Sequence, residues 1–358
     1  MIALSLIKNK KFKFVEKKIR QKVLPNECRL KILYSGICAS DIPRAFNSMA
    51  YRYPLVMGHE FVGKIIKTGS RVSQFQTGDI VSAFPLVPCA ATKKNNCEYC
   101  NIEKFNLCND YDYYGSRRDG SFCEILDVNE WNLFKITKNK NSIKNKSLIE
   151  PTAVSFNIIE TLKNKIDLRS KILILGGGYI GQITARIIRN FFKKTKIHVL
   201  DRNKFKLDIS RKETTSQILF SKNKNSNKLI SKKLESKFDI VIETTGNDQN
   251  FLNSLRFVKK NGNVVFSGNI NKNLIISQSQ VSNILRKQIT IKGVWNSSFK
   301  SKINHWKQAE NFISENKKIE ELITHTVDFS DTASLLKKIF LMKTGKLKND
   351  YLKGIIKN

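Results

Sequence analysis

The stretch KILILGGGYIG, residues 171–181, constrains the fold more than any other part of the chain. Ile172 to Leu175 form a short apolar run with no polar break, the pattern of a strand buried on both faces of a parallel sheet. Gly176, Gly178 and Gly181 then follow as G-x-G-x-x-G at the mouth of a helical pattern, YIGQITARIIRNFF. Gly176 permits a tight turn, Gly178 lets the backbone approach a pyrophosphate, and Gly181 lets helix and strand pack closely, with Tyr179 and Ile180 between them. The N–H groups and positive dipole end of the helix N-terminus would receive the phosphates. The next strand, KIHVL, leads into Asp201, twenty residues past Gly181, where a carboxylate binds ribose hydroxyls. That carboxylate opposes a 2′-phosphate and predicts NAD; Arg202 beside it is the residue type that accommodates NADP. FDIVIE and NVVFSG supply further strands with helix-forming stretches between them, so a doubly wound α/β sheet is expected over 151–295.

Upstream the period changes. RLKILYSG, FVGKIIKTGS and TGDIVSAF are short β-type runs separated by turn residues, which predicts an irregular β-rich domain over 1–150. The lysine-rich stretch TKNKNSIKNKSLIEPTAVS becomes helical after Pro151 and places the boundary there. The last sixty residues mix a helix around 303–317 with short strands, and pattern alone assigns them to neither domain. A chain of 358 residues can bury two cores. No apolar run reaches the length of a bilayer span. The start, MIALSLIKNKKFKF, has apolar residues before lysines, the reverse of an export signal. Seven cysteines, an odd number without such a signal, point to a reducing, cytoplasmic setting.

The net charge of +34 admits nucleic acid, anionic lipid or an anionic substrate as partner. The lysines, however, run from end to end among asparagines and isoleucines, as in KNKNSIKNK and FSKNKNSNKLISKKLESK. A nucleic-acid surface would interleave basic residues with aromatics in one region. The charge is therefore read as compositional drift over solvated faces, with neither nucleic acid nor membrane as partner.

Two groups of residues carry metal chemistry. Cys89, Cys97, Cys100 and Cys108 are spaced x7, x2 and x7, and four thiolates close a tetrahedral zinc site with no position left for substrate. The second group is scattered. In VMGHEF, His59 cannot belong to a zincin helix, because H-E-x-x-H would need a histidine where Gly63 stands. CASD offers Cys38 as a thiolate, Ser40 as a hydroxyl that passes a proton, and Asp41 as an acceptor that orients an imidazole. With His59, Glu60 and Glu150, Cys38 supplies S, N and O ligands for a catalytic zinc with one position open.

Taken together, GICASD, GHE, the four-cysteine lobe, EP and the later glycine fingerprint resemble the zinc-dependent medium-chain dehydrogenases/reductases, over nearly the whole chain. SDIPRAF, PLVPC, YDYYGSRRDGSF and ILRKQITIKGVW resemble the polyol dehydrogenase branch more narrowly. The resemblance implies a GroES-like catalytic domain to which 296–358 returns, with a Rossmann domain inserted. It implies Cys38 and His59 as catalytic zinc ligands, Glu60 and Glu150 as acidic positions of which one is the direct ligand, and Cys89, Cys97, Cys100 and Cys108 as the structural site. Homodimers or homotetramers are common in the family. Two departures stand out: AATKKNN puts seven residues between the first two lobe cysteines where the family usually has two, and the Lys/Asn-rich 206–235 stretch lacks the usual glycine-alanine turn. The expected activity is NAD-dependent oxidation of a polyol, with a phosphorylated polyol expected from Arg44, Arg117 and Arg118 as candidate phosphate donors. Trp295 and Asn296 are candidates for the substrate pocket. A basic zinc protein that binds nucleic acid would leave the fingerprint, Cys38 and Glu150 without a role. A non-catalytic dinucleotide scaffold would need no metal at Cys38.

Overall fold

The computed structural model describes residues 1–92, 95–137, 142–220, 224–270 and 272–358. The chain forms two units, residues 1–153 with 297–358, and residues 154–296. The second unit is a parallel six-stranded sheet in the order Ser216–Leu219, Lys196–Asp201, Lys171–Leu175, Phe238–Glu243, Val258–Phe266, Thr290–Gly293. The strand order reverses at Lys171–Leu175, the switch point at which doubly wound sheets bind ligands. Ile172, Leu173, Ile174 and Leu175 are fully buried, as a central parallel strand requires. Gly176 turns the chain with φ +108°, and a Cβ on Gly181 would stand 1.9 Å from the Gly176 carbonyl oxygen. Only glycine serves at both places. Gly178 then caps the helix Tyr179–Phe191.

The first unit is built on a sheet in the order Leu133–Lys135, Ile80–Ala83, Glu60–Thr68, Glu27–Ile37, Gly354–Lys357, His325–Asp328; Ile125–Asn129 also pairs with Glu27–Ile37. Its core includes Leu30, Ile32, Phe61, Val81, Phe122 and Ile356. The closing segment, whose membership pattern alone does not decide, docks here: Gly354–Lys357 runs antiparallel to Glu27–Ile37, with Gly354 opposite Ile37. The helix expected around 303–317 spans His305–Glu315. The helix expected after Pro151 instead begins at Ile149 and runs to Leu162. Proline is tolerated in a first turn, where its missing N–H has no intrahelical partner anyway.

Candidate active site and cysteine lobe

Strand pairing assembles the mixed group. Glu27–Ile37 lies antiparallel to Glu60–Thr68 with Gly36 opposite Glu60, so the end of one strand meets the start of the other. Cys38 follows the first strand directly and His59 precedes the second. The Cys38, His59 and Glu60 ligand atoms lie within 4.8 Å of one another. Gly36 leaves room for this: a Cβ there would stand 2.3 Å from Glu60 Oε2. Gly58, at φ +94°, turns the chain into His59.

Glu150 stands in the first turn of Ile149–Leu162, outside the group of three but close enough to feel its charges. It is 5% exposed and makes no hydrogen bond or ion pair among the described residues. Burial pushes its carboxyl up to about 8; His59 pulls it down, and Glu60 and Cys38 push it further up. Burial, followed by Glu60 and Asp41, pushes the Cys38 thiol up to about 11. A thiol and a carboxyl group that are both costly to ionise without a cation are thus placed beside Glu60.

Asp41 does not hold the imidazole as expected. Its Oδ1 is 3.8 Å from His59 Nδ1, beyond hydrogen-bond reach. Its bonds go instead to the Cys38 N–H, at 2.9 Å, and to Arg44 Nη1, at 3.0 Å. His59 Nδ1 is buried with no hydrogen-bond partner. Ser40 is exposed, with its hydroxyl beside the Cys38 thiol.

Two residues here escaped the sequence reading. Lys353 is 3% exposed; its ammonium bonds the Glu60 carboxylate and, at 3.1 Å, the Ile37 carbonyl. Nothing in the sequence distinguishes it from the chain's many other lysines. Tyr113 places its ring edge-on to His59, with centroids 5.9 Å apart. Burial and the charges of Glu150 and Cys38 push its phenol well above the ordinary 10. It lies inside YDYYGSRRDGSF, a signal legible only as resemblance.

The arginines of that motif are engaged locally. Arg117 donates to the Tyr111 carbonyl at 3.1 Å and lies over the Tyr111 ring at 4.3 Å. Arg118 donates to Asp112 Oδ2 at 2.6 Å and lies over the Tyr114 ring. Arg44 is the candidate beside the mixed group, where its charge reaches Tyr113.

The four lobe cysteines also meet, with their sulfurs within 4.8 Å of one another. The long spacer does not keep Cys89 away: its Sγ accepts from the Cys97 N–H at 3.2 Å, and its own N–H donates to Cys108 Sγ at 3.2 Å. Residues 93–94 of that spacer lie outside the described residues. Phe105 and Trp131 pack beside the thiols. No disulfide forms. Backbone N–H donors at Asn109 and Cys100 lower Cys97 to about 6, while burial pushes Cys100 and Cys108 up. Four convergent thiols fit a closed zinc site, and the S, N and O set at Cys38 fits an open one.

In the second unit, Asp201 Oδ2 accepts from the Gly177 N–H at 2.7 Å and Oδ1 from the Asn203 N–H at 2.8 Å. The carboxylate therefore sits against the glycine turn. Arg202 is exposed. Trp295 is half exposed and Asn296 is buried, its carbonyl accepting from Asn157 at 3.0 Å.

A GroES-like unit holding a mixed S, N and O donor set, joined to a Rossmann unit, defines a metal-dependent dehydrogenase. Residues 24–138 match the family model of the alcohol dehydrogenase GroES-like domain, and residues 180–315 that of zinc-binding dehydrogenases. The chain belongs to the zinc-binding dehydrogenase family and is an oxidoreductase. It is 29% identical over 333 residues to galactitol 1-phosphate 5-dehydrogenase of Escherichia coli, covering 90% of this chain and 93% of that protein. It is 27% identical over 345 residues to a probable D-xylulose reductase A of Aspergillus clavatus, covering 93% and 91%. The crystal structure of galactitol-1-phosphate dehydrogenase from Escherichia coli superposes with a TM-score of 0.86 at 26% identity, over 100% of both chains. No helix among the described residues is long and apolar enough to cross a membrane.

Proposed function

We propose that the protein oxidises a secondary hydroxyl of a polyol phosphate with NAD, taking galactitol 1-phosphate to tagatose 6-phosphate, in the cytoplasm and as a homodimer or homotetramer. The observation that carries the dehydrogenase site is Glu150: a carboxylate buried without a partner beside Cys38, His59 and Glu60. Such a set is stable only when protonated or when a cation joins it. Cys38, His59 and a carboxylate would hold the catalytic zinc. Glu60 is already bonded by Lys353, which leaves Glu150 as the carboxyl group that would ionise onto an arriving cation. Cys89, Cys97, Cys100 and Cys108 would hold the structural zinc.

Zinc held there would supply Lewis acidity toward a hydroxyl oxygen, and NAD would supply the hydride acceptor. The chain's own residues supply the rest. The Ser40 hydroxyl, exposed and beside Cys38, would receive the proton of the substrate hydroxyl and pass it to solvent. Asp41 would fix the Cys38 backbone and hold Arg44 in place. Asp201 would take the ribose hydroxyls on its remaining lone pairs. Phosphorylation of the substrate is supported by the likeness to the galactitol 1-phosphate enzyme and by Arg44 near the mixed group; Arg117 and Arg118 are committed to Tyr111 and Asp112 and lend it less.

The second reading, a dehydrogenase of free polyols such as sorbitol or L-iditol, or of threonine, is favoured by the likeness to D-xylulose reductase. A panel of polyols and their phosphates, assayed with NAD and NADP, separates the two. Turnover of free galactitol or sorbitol as efficient as that of the phosphates refutes the first reading.

A further inference from the structure

We propose that Tyr113 reads a second hydroxyl of the substrate, next to the one oxidised, and so selects vicinal diols and polyols over simple secondary alcohols. The inference rests on the polyol reading above and adds the residue that enforces it.

The backbone of Tyr113 is held on every side. Its strand, Asp112–Tyr113, pairs with Leu86–Val87. Its N–H donates to Asp112 Oδ1 at 2.7 Å, and its carbonyl accepts from Ser116, Arg117 and Arg118 at 3.3, 3.0 and 3.1 Å. The turn that follows rests directly on the segment carrying His59. A Cβ on Gly115 would stand 2.4 Å from the Gly58 carbonyl oxygen, and one on Gly120 would stand 1.9 Å from it. Ser121 N–H also donates to that oxygen, at 3.0 Å. Glycine contacts this close leave no room for a side chain, so the backbone after Tyr113 seats against the one before His59, and the two rings stand edge to face at 69°.

The hydroxyl at the end of the Tyr113 ring is the unusual part. Tyr114 spends its hydroxyl on the Asn129 N–H at 3.2 Å, and Tyr351 spends its own on the Ile37 carbonyl and the Gly354 N–H. The Tyr113 hydroxyl makes no hydrogen bond among the described residues, and its oxygen is not fully buried. The residue is half-buried, and a tyrosine with an apolar body and a wet tip keeps its hydroxyl for a partner at that tip. Glu150, Cys38, Arg44 and Glu60 lie near enough for their charges to act on it. With its ring beside His59 rather than among the donor atoms of Cys38, His59 and Glu60, the hydroxyl would meet a neighbouring oxygen of a polyhydroxylated chain instead of the reacting one. A hydroxyl that both donates and accepts suits that partner.

The test compares the zinc-loaded full chain with its Tyr113→Phe variant on the polyol phosphate, on 2,3-butanediol and on 2-butanol. Losing one neutral hydrogen bond lowers kcat/KM by roughly tenfold for the first two, mostly through KM, and leaves 2-butanol unchanged. Calorimetric Kd for the polyol phosphate weakens by the same factor, and zinc content stays at the wild-type value. An equal fall on the diol and on 2-butanol places Tyr113 on the reacting oxygen or in the scaffold and overturns the proposal. Unchanged diol turnover overturns it too. A wild type that ignores every polyol phosphate refutes the substrate reading, while the diol-to-butanol ratio still decides the role of Tyr113.

Discussion

The four thiols of the lobe come from one stretch, residues 89–108, whereas the mixed group draws on Cys38, His59 and Glu60, with Glu150 near it and Lys353 bonded to Glu60, the whole 154–296 unit being interposed in sequence before the last. The lobe is chemically uniform: soft donors, aromatic neighbours, and backbone N–H groups turned toward sulfur. The mixed group combines a thiol, an imidazole and two carboxylates, and needs a buried ammonium to balance one of them. A local, saturated cluster suits a brace, because every position on the metal is filled by protein. A distributed cluster with an unpartnered carboxylate suits a reaction, because it leaves something to be completed by a ligand.

Substitutions in each cluster should therefore separate activity from stability. Cys38→Ala is expected to abolish turnover and to lower zinc from two per chain to one, while thermal unfolding stays near wild type; elemental analysis and calorimetry read this. One zinc per chain in the wild type, lost on Cys38→Ala, would show instead that the lobe is empty. Cys100→Ala should do the reverse, removing about 4 kcal/mol or more of stability, the scale of a lost metal site. The loss should stay below the roughly 10–16 kcal/mol of isolated zinc-binding peptides, because the rest of the unit also supports the lobe. The remaining folded molecules should keep their activity. Lys353→Met leaves Glu60 buried without its cation and is expected to cost about 3–5 kcal/mol in metal-free protein. Added zinc should recover part of that loss, since the metal supplies the missing positive charge; equal melting shifts with zinc and with chelator would disprove the coupling. The smallest effect belongs to a residue outside both clusters. Asp201→Gly should leave zinc content unchanged, should lower melting modestly because the Gly177 and Asn203 N–H groups lose their acceptor, and should narrow the preference for NAD over NADP by roughly tenfold, as one charge-assisted contact to the ribose is worth. A wild type that already works better with NADP would refute the ribose role of Asp201.

What could be read in the sequence follows the same divide. KILIL and its glycines are legible because strand, turn and helix are neighbours in the chain and each obeys a local rule. The lobe is legible because four cysteines in so short a span stand out from background. Lys353 was invisible: its role depends on Gly354–Lys357 pairing with Glu27–Ile37, and a long-range pairing leaves no mark on a lysine in a lysine-rich chain. Residue type alone pairs Asp41 with His59, yet its carboxylate is taken by the Cys38 N–H and Arg44, partners within three residues. Tyr113 carried no signal of its own, since a tyrosine in a β-turn segment is ordinarily core.

The pairing of Gly354–Lys357 with Glu27–Ile37 also sets a timetable. During synthesis the first 150 residues leave the ribosome with a sheet that still lacks its partner strand and with Glu60 still lacking its ammonium. The 154–296 unit is continuous in sequence and can fold while the chain is still growing. The mixed group cannot be completed until residues 353–357 have emerged. A newborn chain can therefore own its nucleotide fold before it owns a finished mixed group.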